Sequence, residues 1–239
     1  MPRHWLEPYG PETFEALRAA TPTDLPPLPE PPTEEGARAA AVRETGAPLV
    51  EVPGDIATYH AYLEFGSPKF PQKMLARDEV IERIRTAQTL IPAPFTLLVL
   101  DTWRSREAQR ELGRIYRETY PDLDATFVAD PDDTELIAPH TLGAAVDLTL
   151  AFEGKGLPLG SDFDQFDATA GAMYLERKVD LTAKQELDRD LRRLLSHAML
   201  EAGFAPLASE WWHFSYGDQR WAAFYGHDAS LYDQIDYRK

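Results

Sequence analysis

The sequence contains no cysteine in 239 residues. Disulfide frameworks and thiolate metal sites are thereby excluded, so any metal must be held by His, Asp, Glu or water. The absence is compatible with a reducing compartment. Basic residues are also scarce: 24 Lys and Arg stand against 40 Asp and Glu, a formal charge of −16. A nucleic-acid partner is not expected, because phosphate binding needs a basic patch. No apolar run is long enough to cross a membrane. The opening residues, from Met1 to Pro8, lack the apolar core of a signal peptide. The expectation is a soluble, cytoplasmic protein without a membrane partner. There is no internal repeat.

What is present suits one large domain with an extension. Residues 21–36 read TPTDLPPLPEPPTEEG, and proline at that density forms neither helix interior nor central strand. We therefore divide the chain into a Pro-rich N-terminal extension, residues 1–45, and a domain over 46–239. A short helix is expected near Pro11–Arg18. Helical spacing of Leu75, Val80, Ile81, Ile84, Ala87 and Leu90 predicts a helix over 72–91. Further helices are expected over 107–116 and 183–202, the latter stopped by Gly203. Strands are expected over 95–100, 145–150 and 211–216. Helices and strands alternate without a repeated βαβ rhythm. The fold expected is α+β, a small, mainly antiparallel sheet with packed helices and a metal site in a cleft at the sheet.

Two segments far apart carry chemistry. One runs from Ala138 through His140 to Leu150 and includes Asp147. The other runs Ser209-Glu210-Trp211-Trp212-His213-Phe214. His140, Asp147 and His213 make a three-ligand set for one Zn²⁺ per chain, with a fourth position free. Glu210, beside the second His, is then a candidate base. Asp147 follows Val146 in a β-prone run, where a carboxylate is costly unless paired or metal-bound. Odd spacings would place His140 and Asp147, and likewise Glu210 and His213, on opposite faces of regular strands. One member of each pair must lie outside the strand. His197 falls on the expected amphipathic helix and reads as a surface or packing residue. Trp212 reads as core that can also wall the cleft and exclude water.

The pattern H-x-x-G-x-A-x-D followed by E-x-W-H resembles the zinc peptidase family of D-alanyl-D-alanine dipeptidases and carboxypeptidases. Asp147-Leu148-Thr149-Leu150 and the stretch from Gly160 to Asp167 resemble the dipeptidase branch, as does Asp101-Thr102-Trp103-Arg104-Ser105. The likeness runs in order over roughly residues 50–225. It implies zinc-dependent hydrolysis of a short peptide, with D-Ala-D-Ala as the expected substrate. It gives Arg104 the role of supporting the carbonyl as negative charge develops, Asp164 that of binding a free amino group, and Tyr59 a place in substrate binding. Two departures stand out. Ala138 replaces the hydroxyl residue that helps hold the substrate's terminal carboxylate, and Thr102-Trp103-Arg104-Ser105 replaces Gly-Tyr-Arg-Pro. Two other readings stay open: a peptidoglycan carboxypeptidase or endopeptidase of the same family, and a catalytically silent zinc-binding domain.

Overall fold

A computed structural model describes residues 9–121 and 128–237. The regular elements are α1 (Pro11–Ala20), α2 (Glu34–Arg38), β1 (Leu49–Glu51), β2 (Leu75–Arg77), α3 (Asp78–Leu90), β3 (Phe95–Asp101), α4 (Arg106–Thr119), β4 (Ala145–Phe152), β5 (Lys155–Gly156), α5 (Tyr174–Arg177), α6 (Ala183–Glu201), β6 (Ala205–Pro206), β7 (His213–Ser215) and α7 (Gln219–Tyr225). Short 3₁₀ turns at Ala61–Phe65 and Pro139–Leu142 carry residues that matter below. The architecture is α+β, as the sequence predicts.

The main sheet has the order β3-β4-β7-β6, with β5 folded back on the end of β4, and its pairings are antiparallel. Every residue of β4 is buried. Its apolar side chains Val146, Leu148 and Leu150 share one face, and Asp147 and Thr149 share the other, as the two-residue period of a strand requires. Helix α6 packs on β4 and on α3. It opens with a capping box between Thr182 and Gln185, which satisfies backbone donors that a helix start leaves unpaired. It buries Leu187, Leu191, Leu194, Leu195, Ala198 and Met199. The helix ends at Glu201, and Gly203 follows at φ 89, a backbone state that favours glycine.

The helix expected over 72–91 is shorter than its spacing suggested. Leu75, Ala76 and Arg77 pair with β1 instead, and the helix begins at Asp78. Arg77 explains the difference. It is buried, and its guanidinium donates to the carbonyl of Leu142 (2.8 Å) and to Glu44 (2.7 Å). Those bonds hold it on strand β2, away from the solvent face a helix would give it. The third strand is also shorter than expected and starts at His213, so Glu210 lies in the turn before it.

The N-terminal arm lies on this body. Leu17 is fully buried. Residues 22–33 have no regular secondary structure, in keeping with their proline content. The arm is tied by His197 Nε2–H donating to the Pro26 carbonyl (2.9 Å) and by an Arg177–Glu30 ion pair (2.6 Å). His197 is thus a packing residue against the arm. Thr33 caps α2, accepting from the Gly36 amide.

Candidate metal centre

Strand register assembles the site. Asp147 of β4 lies opposite His213 of β7 and, after an irregularity between Val99 and Asp101, opposite Asp101 of β3. Three polar residues therefore form a row across neighbouring strands. His140 reaches the row from the 3₁₀ turn that precedes β4. Gly143 at φ 71 lets the chain reverse between them. A Cβ there would meet Leu49 Cδ1 at 2.7 Å and would be strained besides. The odd spacing of His140 and Asp147 is thereby resolved: only Asp147 belongs to the strand.

Three donor atoms converge. His140 Nε2 lies 3.2 Å from His213 Nδ1 and 3.3 Å from Asp147 Oδ2, and His213 Nδ1 lies 3.1 Å from Asp147 Oδ1. Among the described residues, these three form a His/Asp set able to hold a metal ion, and all are buried. A tetrahedral ion with bonds of ~2.0–2.1 Å has ligand-to-ligand edges of about 3.3–3.4 Å, so the triangle fits. The protonation pattern fits as well. His140 Nδ1–H donates to the Thr102 carbonyl (2.6 Å), a group that can only accept. Burial and the nearby Arg104 guanidinium lower the His140 pKa, so the ring is neutral and its Nε2 lone pair faces the triangle. Burial pushes the Asp147 carboxyl up, but the imidazoles of His140 and His213 outweigh that and hold it well below its ordinary value. A lone pair and a carboxylate aimed at one point call for a cation.

Glu210 and Arg104 flank this triangle without joining it. Glu210 Oε2 is 3.8 Å from His213 Nδ1, longer than any edge of the donor set. Burial raises its carboxyl to about 7. Arg104 is buried; its Nε–H donates to Asp101 Oδ2 (2.7 Å) and its Nη1–H to Gln109 Oε1 (2.8 Å). Nη2 stands 3.7 Å from Asp147 Oδ2. Burial works against the charge on Arg104, but Asp101 and the other nearby anions prevail and raise its pKa further. The guanidinium is thus a fixed cation with one edge left toward the cavity. Asp101, which holds it, was not singled out from the sequence. It lies three residues before Arg104, and the irregular register at the end of β3 sets it opposite Asp147.

The cavity over the donor triangle measures about 70 Å³, and its lining includes His140, Asp147, His213, Glu210, Arg104 and Asp164. Asp164 sits at φ 57 in the loop before α5. Its carboxylate accepts a hydrogen bond from Tyr116 and a longer one from Tyr62 (3.4 Å). Burial raises it to about 7, more than the tyrosine hydroxyls lower it. Neither tyrosine was picked out from sequence; they lie 48 and 102 residues from Asp164, and no local pattern links them.

The remaining two candidates stand elsewhere. Tyr59 is absent from the cavity lining; its backbone N–H bonds the Val99 carbonyl (2.7 Å). Tyr62, three residues on, takes the place at the wall. Trp212 is fully buried and packs edge-on against Phe163 and Trp211. It backs the site from the core and does not line the cavity. The spacing that sends His213 toward the donors sends its neighbour Trp212 the other way.

A family model described as D-ala-D-ala dipeptidase matches residues 68–233. Among curated proteins, the chain is similar to a D-alanyl-D-alanine dipeptidase of Synechocystis sp., 36% identical over 52% of this chain and 50% of that one. It is also similar to the D-alanyl-D-alanine dipeptidases of Escherichia coli and Enterococcus faecium, each 27% identical over 59% of this chain, covering 65% and 72% of theirs. The matched part spans half the length of the Synechocystis relative and just under two thirds of the Escherichia coli one.

Proposed function

The chain belongs to the D-ala-D-ala dipeptidase family, and on that premise we propose that it is a zinc metallopeptidase that hydrolyses a short peptide, D-Ala-D-Ala first of all. The observation that carries the reading is the buried triangle of His140, Asp147 and His213 with Glu210 and Arg104 beside it. Retaining a metal needs neither of the last two, whereas hydrolysis needs both a base and a charge stabiliser.

Zinc held by these three residues supplies Lewis acidity toward a carbonyl oxygen and makes water a stronger acid. The chain does the rest. Glu210 takes a proton from the attacking water and delivers it to the leaving amine. Arg104, clamped by Asp101 and Gln109, presents its remaining N–H groups to the carbonyl oxygen as negative charge grows there. Because its position is already fixed, little reorganisation opposes that step. Asp164 pairs with the free ammonium of the dipeptide, which limits the length of chain accepted.

The proposal includes residues 46–239 as the catalytic domain, with residues 1–45 as an extension whose Glu34 reaches the cavity wall. It also includes a cytoplasmic location, with which the cysteine-free composition is compatible and which cell fractionation tests. No helix among the described residues is long and apolar enough to cross a membrane. The deciding experiment is a peptide panel assayed with and without Zn²⁺: D,D and L,D dipeptides, a tripeptide and N-acylated D-Ala-D-Ala. The expected outcome is zinc-dependent cleavage of the free D,D dipeptide, with poor cleavage of the tripeptide and the acylated form. Equal cleavage of free and acylated forms would replace the dipeptidase reading with a carboxypeptidase. No cleavage of any peptide by zinc-loaded protein would leave a silent zinc-binding domain.

A further inference from the structure

Arg220 is a cation in the cleft with no assigned role. It opens α7 and lines the same cavity as the metal donors, and its residue is only 8% exposed. Its Nη1 is buried without a hydrogen-bond partner, and Nη2 stands 3.7 Å from Glu34 Oε1, beyond hydrogen-bond distance. Glu34 itself is 62% exposed at its side chain, so this contact satisfies little of a buried guanidinium. A buried arginine with unused donors is costly to keep, and its planar fork matches a carboxylate.

The position of Arg220 matters as much as its unpaired Nη1. Its neighbour Gln219 accepts from the Ile137 amide (2.9 Å) and donates to the Glu135 carbonyl (2.8 Å). The start of α7 is thereby laced to the strand of chain that leads into Ala138, which also lines the cavity. Ala138 has no hydrogen-bonding side chain. Arg220 lines the same cavity and, unlike Arg104, is not clamped by a carboxylate within hydrogen-bond distance.

We propose that Arg220 is the residue that recognises the C-terminal carboxylate of the peptide, and that Glu34 of the N-terminal arm is a weak internal competitor that the substrate displaces. This rests on the peptidase reading above. Asp164 then reads the ammonium and Arg220 the carboxylate, so a zwitterionic dipeptide meets one group of opposite charge for each of its ends. An arginine that merely ties the arm to the domain would contribute to stability and would treat charged and neutral ligands alike.

The test compares D-Ala-D-Ala with D-alanyl-D-alaninamide, which lacks the negative end. In the zinc-loaded wild type, kcat/KM should favour the acid. In Arg220→Gln that preference should fall about 30-fold or more, mainly through KM; Arg220→Lys should restore part of it. Glu34→Gln, a surface change that leaves Arg220 in place, should lower KM for the acid about two- to fivefold. Binding of both ligands by calorimetry separates the two readings. Acid-selective binding lost in Arg220→Gln, without hydrolysis, supports the arginine and sinks the peptidase assignment. An unchanged acid preference in Arg220→Gln, an equal effect on both ligands, or no binding of either ligand by the wild type overturns the assignment of Arg220.

Discussion

Asp147 and Asp164 line one cavity and are opposites in construction and in the direction their pKa values move. Asp147 is set by the sheet: ladder bonds to β3 and β7 fix its backbone, and two imidazoles face its oxygens. Asp164 sits in a loop at φ 57, and phenols from α4 and a 3₁₀ turn hold it. Burial pushes both carboxyls up. Beside the imidazoles Asp147 nonetheless falls well below its usual value, whereas Asp164 rises to about 7. Burial alone therefore does not decide the state of a carboxyl group; its partners do. Near neutral pH Asp147 is held as an anion, whereas Asp164 is poised between its two states, so a cation placed beside it would draw it toward the charged form.

The largest effects should come from breaking the sheet-built end. His213→Ala or Asp147→Ala should remove both zinc and turnover, since two donors do not hold the ion tightly. Glu210→Gln should keep close to one zinc per chain, read by elemental analysis, while turnover falls by about 10²–10⁴. Loss of zinc in the Gln variant would make Glu210 a ligand and undo its separation from the donor triangle.

Arg104→Lys should cost about 10²–10³ in kcat. Lysine cannot satisfy Asp101 and Gln109 together and still present a donor to the cavity. Near-normal turnover in this variant would reduce Arg104 to a structural cation and leave the carbonyl oxygen to another group.

The contrast between the two ends also governs what the sequence discloses. His140, Asp147 and His213 come together because two short motifs contain them, and the strands that carry the motifs are β-prone runs near their expected positions. The face of each residue was the open point, and a 3₁₀ turn with glycine at φ 71 answers it. Asp101 was in view only as the start of a segment. Its bond to Arg104 is local, three residues on, whereas the irregular register that sets it opposite Asp147 is announced by no local spacing. The partners of Asp164 were invisible for a related reason: Tyr62 and Tyr116 meet it only through packing of α4 and the 61–65 turn against the loop. The overlong helix at 72–91 shows apolar spacing alone competing with a buried arginine, Arg77, whose bonds favour a strand. Arg220 and Glu34 belong to the same class, joined across 186 positions only in three dimensions.

At the loop-built end, Asp164→Asn should reduce the preference for free over N-acylated D-Ala-D-Ala by about 30-fold. The amide still accepts from Tyr116 but no longer offers a charge to the ammonium. Free and acylated dipeptides losing rate in equal proportion would mean that Asp164 shapes the cavity without reading the amino end.

The smallest effect isolates the charge of Asp164 from its contacts. In metal-free, ligand-free protein its pKa rises from 3.8 unfolded to about 7 folded, so the folded state binds the extra proton. Such a group lends stability that is fully present below pH ~4, declines as pH rises and is gone above about 7. Asparagine, nearly isosteric and never charged, carries no such dependence. Wild type and Asp164→Asn should therefore differ little at or below about pH 4, the gap should already be opening at pH 5, and the variant should be the more stable at pH 8. At ~1.4 kcal/mol per pH unit between 3.8 and about 7, the difference is at most ~4 kcal/mol. Denaturant titrations of both proteins across this range measure it directly. A stability difference that stays flat with pH would show that Asp164 ionises as freely folded as unfolded. The contrast with Asp147 would then be one of geometry and not of charge.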